Sequence, residues 1–309
     1  MRRFDVHAHF GLASGSAELM RREGFVQGGP ETRWSPESAM AFMDARGITM
    51  QLLSLPMALP PEQVRAVNEQ GARIVADHPD RFGLLASVPM GEPDRAVEEI
   101  RYAQDTLGAD GFVLLTNYDG GYFGDARFAP VFAELDRRAA SVFVHPVIPP
   151  AFDRLGLGRP GPLIEFPMDT ARTAVDAIFA GLFLRHPRIR MVLAHAGGVL
   201  PALSQRILSL GAKEWVANPY GITRDQLRAQ LASLYFDTAI AGTPVTLAPA
   251  VAVAGADHLV FGTDFPPAGL DVIDQTMADL RDGLAPDDRP RLEAAFRELF
   301  PAAADRAAR

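Results

Sequence analysis

Short runs of β-branched and aromatic residues alternate along this chain with longer stretches of helical spacing, and that alternation limits the possible folds more than any other feature. Eight such runs occur, at residues 3–7, 50–55, 82–87, 111–115, 142–145, 190–194, 234–237 and 259–263. Apolar residues recur at helical intervals over 37–46, 62–77, 95–107, 130–138, 169–185, 199–209, 243–253 and 271–282, with 293–300 as a terminal cap. Ser35 with Pro36, Pro60 with Pro61, and Pro93 with Asp94 mark helix starts. A strand followed by a helix, repeated, means βα units around a parallel sheet. Eight repeats is the count that closes a (β/α)8 TIM barrel, and an open doubly wound sheet is the alternative arrangement of the same units.

The length of 309 residues suits one barrel of roughly 250 residues or more. With no internal repeat, linker or low-complexity block, residues 1–309 are expected to form a single domain. Three connections, 10–35, 116–129 and 146–168, are long and rich in Gly and Pro. All follow strands, so in a barrel they lie over its C-terminal face, where long loops shape ligand sites.

Apolar residues are 48% and charged residues 22% of the chain, close to the globular average, so a core can be built. The 30 basic and 38 acidic residues leave a net charge of −8 with no run of like charge, which argues against a nucleic-acid or anionic-membrane partner. The most apolar stretch, 245–256, contains Pro249 and is too short to span a bilayer, and residues 1–9 lack the apolar core of a signal peptide. The absence of cysteine removes disulfides, thiolate zinc sites and thiol nucleophiles, and fits a reducing compartment. A soluble, cytoplasmic protein is expected.

The seven histidines sort by their place in the βα pattern. His78 and His186 precede Pro79 and Pro187 at helix ends, and His258 precedes the eighth strand; these read as structural. His7, His9, His145 and His195 instead sit at or just beyond the carboxyl ends of strands one, five and six, on the face where barrels carry their sites. His7 and His9 are two apart on an extended segment, so both rings point to one face, as chelation of one ion requires. Asp264 ends strand eight, which closure of the barrel brings beside strand one. Three imidazoles and a carboxylate suit a borderline divalent ion, zinc first, with manganese or iron as alternatives; the opposing view is of unrelated side chains satisfying loop backbones. Asp5 shares the parity of His7 and His9 one layer lower, as an interior polar residue or a partner behind the ligands. Asp237 ends strand seven, either to orient His195 or a bound water, or merely to cap a loop. Phe10, Trp34, Tyr118, Phe152, Phe166 and Phe265 are aromatics near the expected face, available to sandwich a flat ring or to pack.

The stretches Phe4-Asp5-Val6-His7-Ala8-His9-Phe10, His145-Pro146, His195 before Gly197-Gly198, and Phe261-Gly262-Thr263-Asp264-Phe265-Pro266 resemble the amidohydrolase superfamily. Within it the chain looks like the aminocarboxymuconate-semialdehyde decarboxylase branch. His78-Pro79-Asp80-Arg81-Phe82-Gly83, Gly108-Ala109-Asp110-Gly111 through Leu114-Leu115-Thr116-Asn117-Tyr118, and Glu165-Phe166-Pro167 with Asp169-Thr170 are similar to 6-methylsalicylate decarboxylase-like members. The similarity covers about residues 3 to 300. It implies that His7, His9, His145 and Asp264 bind the metal, that His195 is the acid/base residue, and that the protein is a homodimer. The arginine that holds a substrate carboxylate in the aminocarboxymuconate enzymes has no counterpart before Trp34-Ser35-Pro36-Glu37, although Arg33 is adjacent.

Many members bridge two metals with a carboxylated lysine from strand four. Here that strand ends Val113-Leu114-Leu115-Thr116-Asn117, and Lys213, the single lysine, lies between strands six and seven, so one metal is expected. The resemblance then implies non-oxidative decarboxylation of a salicylate-type (ortho-hydroxy) aromatic acid with release of CO2, the proton coming from Asp264 or from a water poised by His195. Hydrolysis of an ester, lactone or amide is the alternative on the same scaffold, and a barrel that binds without turnover is a third class. Trp34 and Phe265 are candidate substrate contacts.

Overall fold

The computed structural model describes residues 2–11 and 34–308. Eight parallel strands follow one another around the sheet in chain order: β1 (Arg3–His9), β2 (Ile48–Ser54), β3 (Phe82–Ser87), β4 (Gly111–Leu115), β5 (Ser141–His145), β6 (Arg190–Leu193), β7 (Tyr235–Asp237) and β8 (Leu259–Val260). Closure is made by main-chain bonds between β1 and the residues after β8. Val6 N donates to the Phe261 carbonyl at 3.0 Å, Asp264 N to His7 O at 2.8 Å and His9 N to Phe265 O at 2.8 Å. The result is the (β/α)8 barrel expected from the alternation.

Side chains divide between two apolar clusters. Phe4, Val6, Met50, Leu52, Val113 and Phe143 fill the barrel, whereas Ala8, Phe10, Leu53, Leu84 and Phe112 pack outward against the helices. The last two helices, Arg289–Leu299 and Pro301–Arg306, close the N-terminal end, with Phe296 stacked on Phe4 at 4.4 Å between ring centroids. Each such ring contributes about 1.5–3 kcal/mol through burial, so that end is a filled core and any ligand must enter from the other.

The structure departs from the sequence reading at several points that matter. The β1–β2 register shifts between Asp5 and Ala8, and this irregularity reverses the parity of β1. Phe4 and Val6 face the barrel interior below the shift, and Ala8 and Phe10 face the helices above it. Asp5 therefore does not share the face of His7 and His9; it pairs with Gln51. Irregularities of this kind re-aim side chains beside functional sites.

Strand six stops at Leu193, one residue earlier than expected, because His195 and Ala196 adopt left-handed backbone angles. The expected 169–185 helix is two helices, Glu165–Phe179 and Leu182–Arg185, and a further helix, Arg224–Ala232, precedes β7. Its signal was present: Thr223 and Gln226 form a reciprocal capping box. Most of the 10–35 connection, Arg33 included, lies outside the described residues.

Candidate metal centre

His7 and His9 end β1, His145 ends β5, and Asp264 follows β8. All four are buried, and each offers a donor atom within 4.8 Å of the others. His7 Nε2 and His9 Nε2 lie 3.2 and 3.1 Å from Asp264 Oδ1. The ring centroids of His7, His9 and His145 are 4.9–5.2 Å apart. His195 stands beside this set, its ring 5.0 Å from that of His7 and 6.4 Å from that of His145.

In all four imidazoles the protein occupies the same nitrogen. His7 Nδ1 meets Asp237 Oδ2 at 2.6 Å, His145 Nδ1 the Pro146 carbonyl at 2.8 Å, and His195 Nδ1 the Ala239 carbonyl at 3.1 Å. Carboxylates and carbonyls only accept, so each Nδ1 carries its proton. His9 Nδ1 lies 2.9 Å from Ser54 Oγ, whose own proton is directed to the Ala8 carbonyl. In every ring Nε2 is thereby the nitrogen with no partner outside the centre, and that of His9 lies within hydrogen-bond reach of Asp264 Oδ1. His7 Nε2 is buried without a hydrogen-bond partner. Such orphaned nitrogen converging with other Nε2 atoms on a carboxylate is the donor set that a borderline divalent cation takes, each ligand oriented by the hydrogen bond at its far side.

Electrostatics agree. Burial lowers the pKa of His7, but the charges of Asp264 and Asp237 outweigh it and raise it to about 10. Burial, reinforced by the neighbouring imidazoles, holds His145 well below the ordinary histidine value, and burial also lowers His9. Burial would raise Asp264, yet His7 and His9 hold its carboxyl well below the usual range. Without a cation, then, the proton on His7 balances the Asp264 charge, and a metal must displace that proton. Metal uptake is accordingly expected to release close to one proton, and apparent affinity to weaken about tenfold per unit of acidification between about pH 9 and pH 7. Calorimetric titration in buffers of different ionisation enthalpy measures the release; uptake without it would contradict this charge balance.

Asp237 turns out to orient a different ring from the one expected. Its Oδ2 holds the His7 imidazole, while its Oδ1 accepts the backbone N–H groups of His195 and Ala239 at 2.7 and 3.0 Å. It positions the His195 backbone and leaves that ring to Ala239. Gly262 makes room for this arrangement, since a Cβ there would stand 3.0 Å from His7 Cβ and 3.1 Å from the Asp237 carboxylate. Asp5 knits β1, β2 and the segment after β8 together, accepting from His7 N, Thr263 N, Thr263 Oγ1 and Gln51 Nε2. Burial raises its pKa to about 6.

Two residues at the centre hold non-glycine left-handed backbone, His195 at φ 56° and Asp264 at φ 60°. Such conformations persist only where the surroundings enforce them. Gly198 is part of that enforcement, because at φ +59° any Cβ would fall 2.3 Å from the Pro167 carbonyl oxygen.

Trp34 and Phe265 are not brought to the centre through their side chains. Trp34 packs near Phe10 and Phe82 behind the barrel wall. Phe265 stacks on Phe42 at 4.0 Å and serves β1 through its carbonyl. Both side chains join the layer between barrel and helices rather than the barrel interior. The aromatic rings against the histidines are instead Phe143, 4.8 Å from His7, and Phe166, 6.4 Å from His145. Phe143 was readable as an inward residue two before His145.

A cavity of about 630 Å³ lies over the C-terminal ends of β2 to β5; none of the five residues of the centre lines it, and its link to them runs through their neighbours in the chain. Leu55, the neighbour of Ser54, and Val147, two beyond His145, line it together with apolar side chains such as Val88 and Leu115. Its charged lining residues are Glu92 and Asp119, both acidic and exposed. No cationic side chain lines it among the described residues.

Comparison with known proteins bears out the resemblance. Residues 4–298 match the amidohydrolase family, to which the chain belongs. Decarboxylase macB of Penicillium terrestre is 34% identical over 97% of this chain and 95% of its own length. The 6-methylsalicylic acid decarboxylase of Penicillium expansum is 34% identical over 88% of this chain and 87% of its own. A dihydroxybenzoic acid decarboxylase from Polaromonas sp. JS666, solved with manganese and the inhibitor 2-nitroresorcinol, superposes with a TM-score of 0.83 at 25% identity, covering 97% of each chain. Within the family the chain is an enzyme of the decarboxylase type, a carboxy-lyase that works with a divalent metal.

Proposed function

We propose that the enzyme removes the carboxyl group, non-oxidatively and as CO2, from an aromatic acid bearing a hydroxyl ortho to the carboxylate, a salicylate-type acid such as 6-methylsalicylate. The observation that carries this reading is the pairing of a three-histidine, one-carboxylate cation centre with a largely apolar cavity that offers an anion no other positive partner among the described residues. The relatives that act on 6-methylsalicylic acid support it.

His7, His9, His145 and Asp264 would hold one ion. When bound, that ion supplies positive charge to the carboxylate and phenolate oxygens and steadies the charge that moves through the ring. Asp264 Oδ1 is already engaged between His7 and His9, whereas His195, anchored through Nδ1, keeps Nε2 free. We therefore assign proton delivery to His195. His195 first takes up a proton from solvent at Nε2, with Nδ1–H held by the Ala239 carbonyl; that proton then passes to the ring carbon that bears the carboxylate, the carbon–carbon bond breaks with its electrons restoring the ring, and CO2 leaves.

Incubating metal-replete protein with a salicylate panel should release CO2 with loss of the carboxylated ring's absorbance. Alcohol or amine released from ester and amide panels without CO2 would make it a hydrolase, and silence in both with stoichiometric metal would make it a binding protein. Zinc is proposed as the ion because the donor set suits it, with manganese and iron as the outcomes that elemental analysis would separate. A cytoplasmic homodimer completes the reading. The cysteine-free composition supports the location, the family likeness and the exposed Leu157, Leu163 and Ile164 support the dimer, and light scattering would test the latter.

A further inference from the structure

The wall of the cavity contains a polar group that the protein orients and that has no partner among the described residues. Asn117 lies just beyond β4, is 9% exposed and lines the cavity. Its Nδ2 donates to the Ile148 carbonyl at 3.1 Å and to Asp169 Oδ2 at 2.8 Å. Both partners only accept, so the amide has one admissible orientation, nitrogen toward them and Oδ1 away. Oδ1 receives no hydrogen bond from any described residue, and it is not among the partnerless side-chain atoms sealed from solvent. Asn117 lines the cavity, and Oδ1 is the side-chain atom it has left to offer a ligand there.

The orientation is held firmly. Asp169 is fully buried and also accepts from Thr116 Oγ1 at 2.6 Å, Tyr122 Oη at 2.7 Å and Arg172 Nη1 at 2.7 Å. Thr116 Oγ1 in turn accepts from Val147 N at 3.1 Å, so the network joins helix Glu165–Phe179 to the connections after β4 and β5. Two neighbouring hydroxyls of the wall are each engaged with the main chain on one side. The Ser87 hydroxyl donates to the Leu55 carbonyl, and the Tyr118 hydroxyl accepts from Leu115 N.

We infer that Asn117 determines substrate specificity, its Oδ1 accepting a hydrogen bond from a second, neutral hydroxyl on the ring of the acid. The decarboxylase reading supplies the identity of the ring; the acceptor and its orientation stand without it. A methyl group at the same ring position leaves a desolvated carbonyl oxygen unpaired, so 6-methylsalicylate, which has no second hydroxyl, should be turned over more slowly than the acid that carries one. A second carboxylate there meets Oδ1 and the acidic Glu92 and Asp119 with no cation among the described residues, so dianionic acids should be the poorest of the three.

The experiment compares dihydroxybenzoates that keep a hydroxyl ortho to the carboxylate with methylsalicylates of the same substitution pattern, in metal-loaded wild type and in Asn117→Leu. One hydroxylated pattern should exceed its methyl counterpart in kcat/KM on the order of 10- to 100-fold, and Asn117→Leu should bring that ratio close to one. The substitution keeps the branching and heavy-atom count of the side chain and leaves Asp169 its other three donors. The same ratio is read without turnover from calorimetric binding of dihydroxybenzenes against methylphenols. Failure of every acid to react would count against the decarboxylase reading alone, because the phenol ratio still decides the role of Asn117. A wild type that prefers no hydroxylated pattern in either measurement, or a preference that survives in Asn117→Leu, overturns the inference.

Discussion

His195→Asn is expected to leave the protein folded and metal-loaded while lowering decarboxylation roughly 10²–10⁴-fold, the range that a positioned proton donor commonly supplies. The choice of asparagine follows from the backbone. Residue 195 sits at φ 56°, where asparagine is tolerated and most other side chains add strain of about 1–2 kcal/mol. The contact that ties this residue to the metal centre, its backbone N–H to Asp237 Oδ1, survives the substitution, and an asparagine amide can still donate to the Ala239 carbonyl. What disappears is a nitrogen that can carry and release a proton. Metal content by elemental analysis together with single-turnover rates measures both halves, and near-normal turnover at full metal occupancy would remove His195 from the chemistry.

Asp264→Asn should act on the other half. It keeps the shape and the left-handed backbone but removes the only negative charge among the four donors. Metal affinity should fall by more than about 100-fold, since partners behind the ligands are themselves worth about 10–100-fold, and activity should go with it. The variant also changes the metal-free protein. In wild type the raised pKa of His7, about 10 against an ordinary 6.5, contributes stability that is complete below the ordinary value and is lost as pH rises through the folded one. Without the Asp264 charge that loss should shrink. Urea unfolding of both metal-free proteins at neutral pH and near pH 10 measures it. Stoichiometric metal in the variant after dialysis would exclude Asp264 as a ligand.

The parts of this structure that depend on local pattern were legible in the sequence. Strand and helix alternation declared the barrel, and polar residues at the ends of apolar strands marked His7, His9, His145, His195 and Asp264. What depends on register or on distant partners was not. The shift between Asp5 and Ala8 is a property of two strands, so simple alternation put Asp5 on the wrong face. Trp34 and Phe265 lie near the expected face in sequence, but whether an aromatic ring turns toward a ligand or into the helix layer is decided by Phe10, Phe82 and Phe42. The fixed orientation of Asn117 needs Ile148 and Asp169, 31 and 52 residues away. Asp237 was noticed, but its division between a histidine ring and two backbone amides could be seen only once β1, β6 and β7 were assembled.

That division has a practical corollary. One carboxylate grips the ring of His7 and the main chain of His195, so the cation and the proton donor share a common mount. Adapting the barrel to a longer acid by sliding the donor outward would tilt a ligand at the same stroke, and enlarging the far wall of the cavity, which Asp237 does not touch, is the freer route to new substrates.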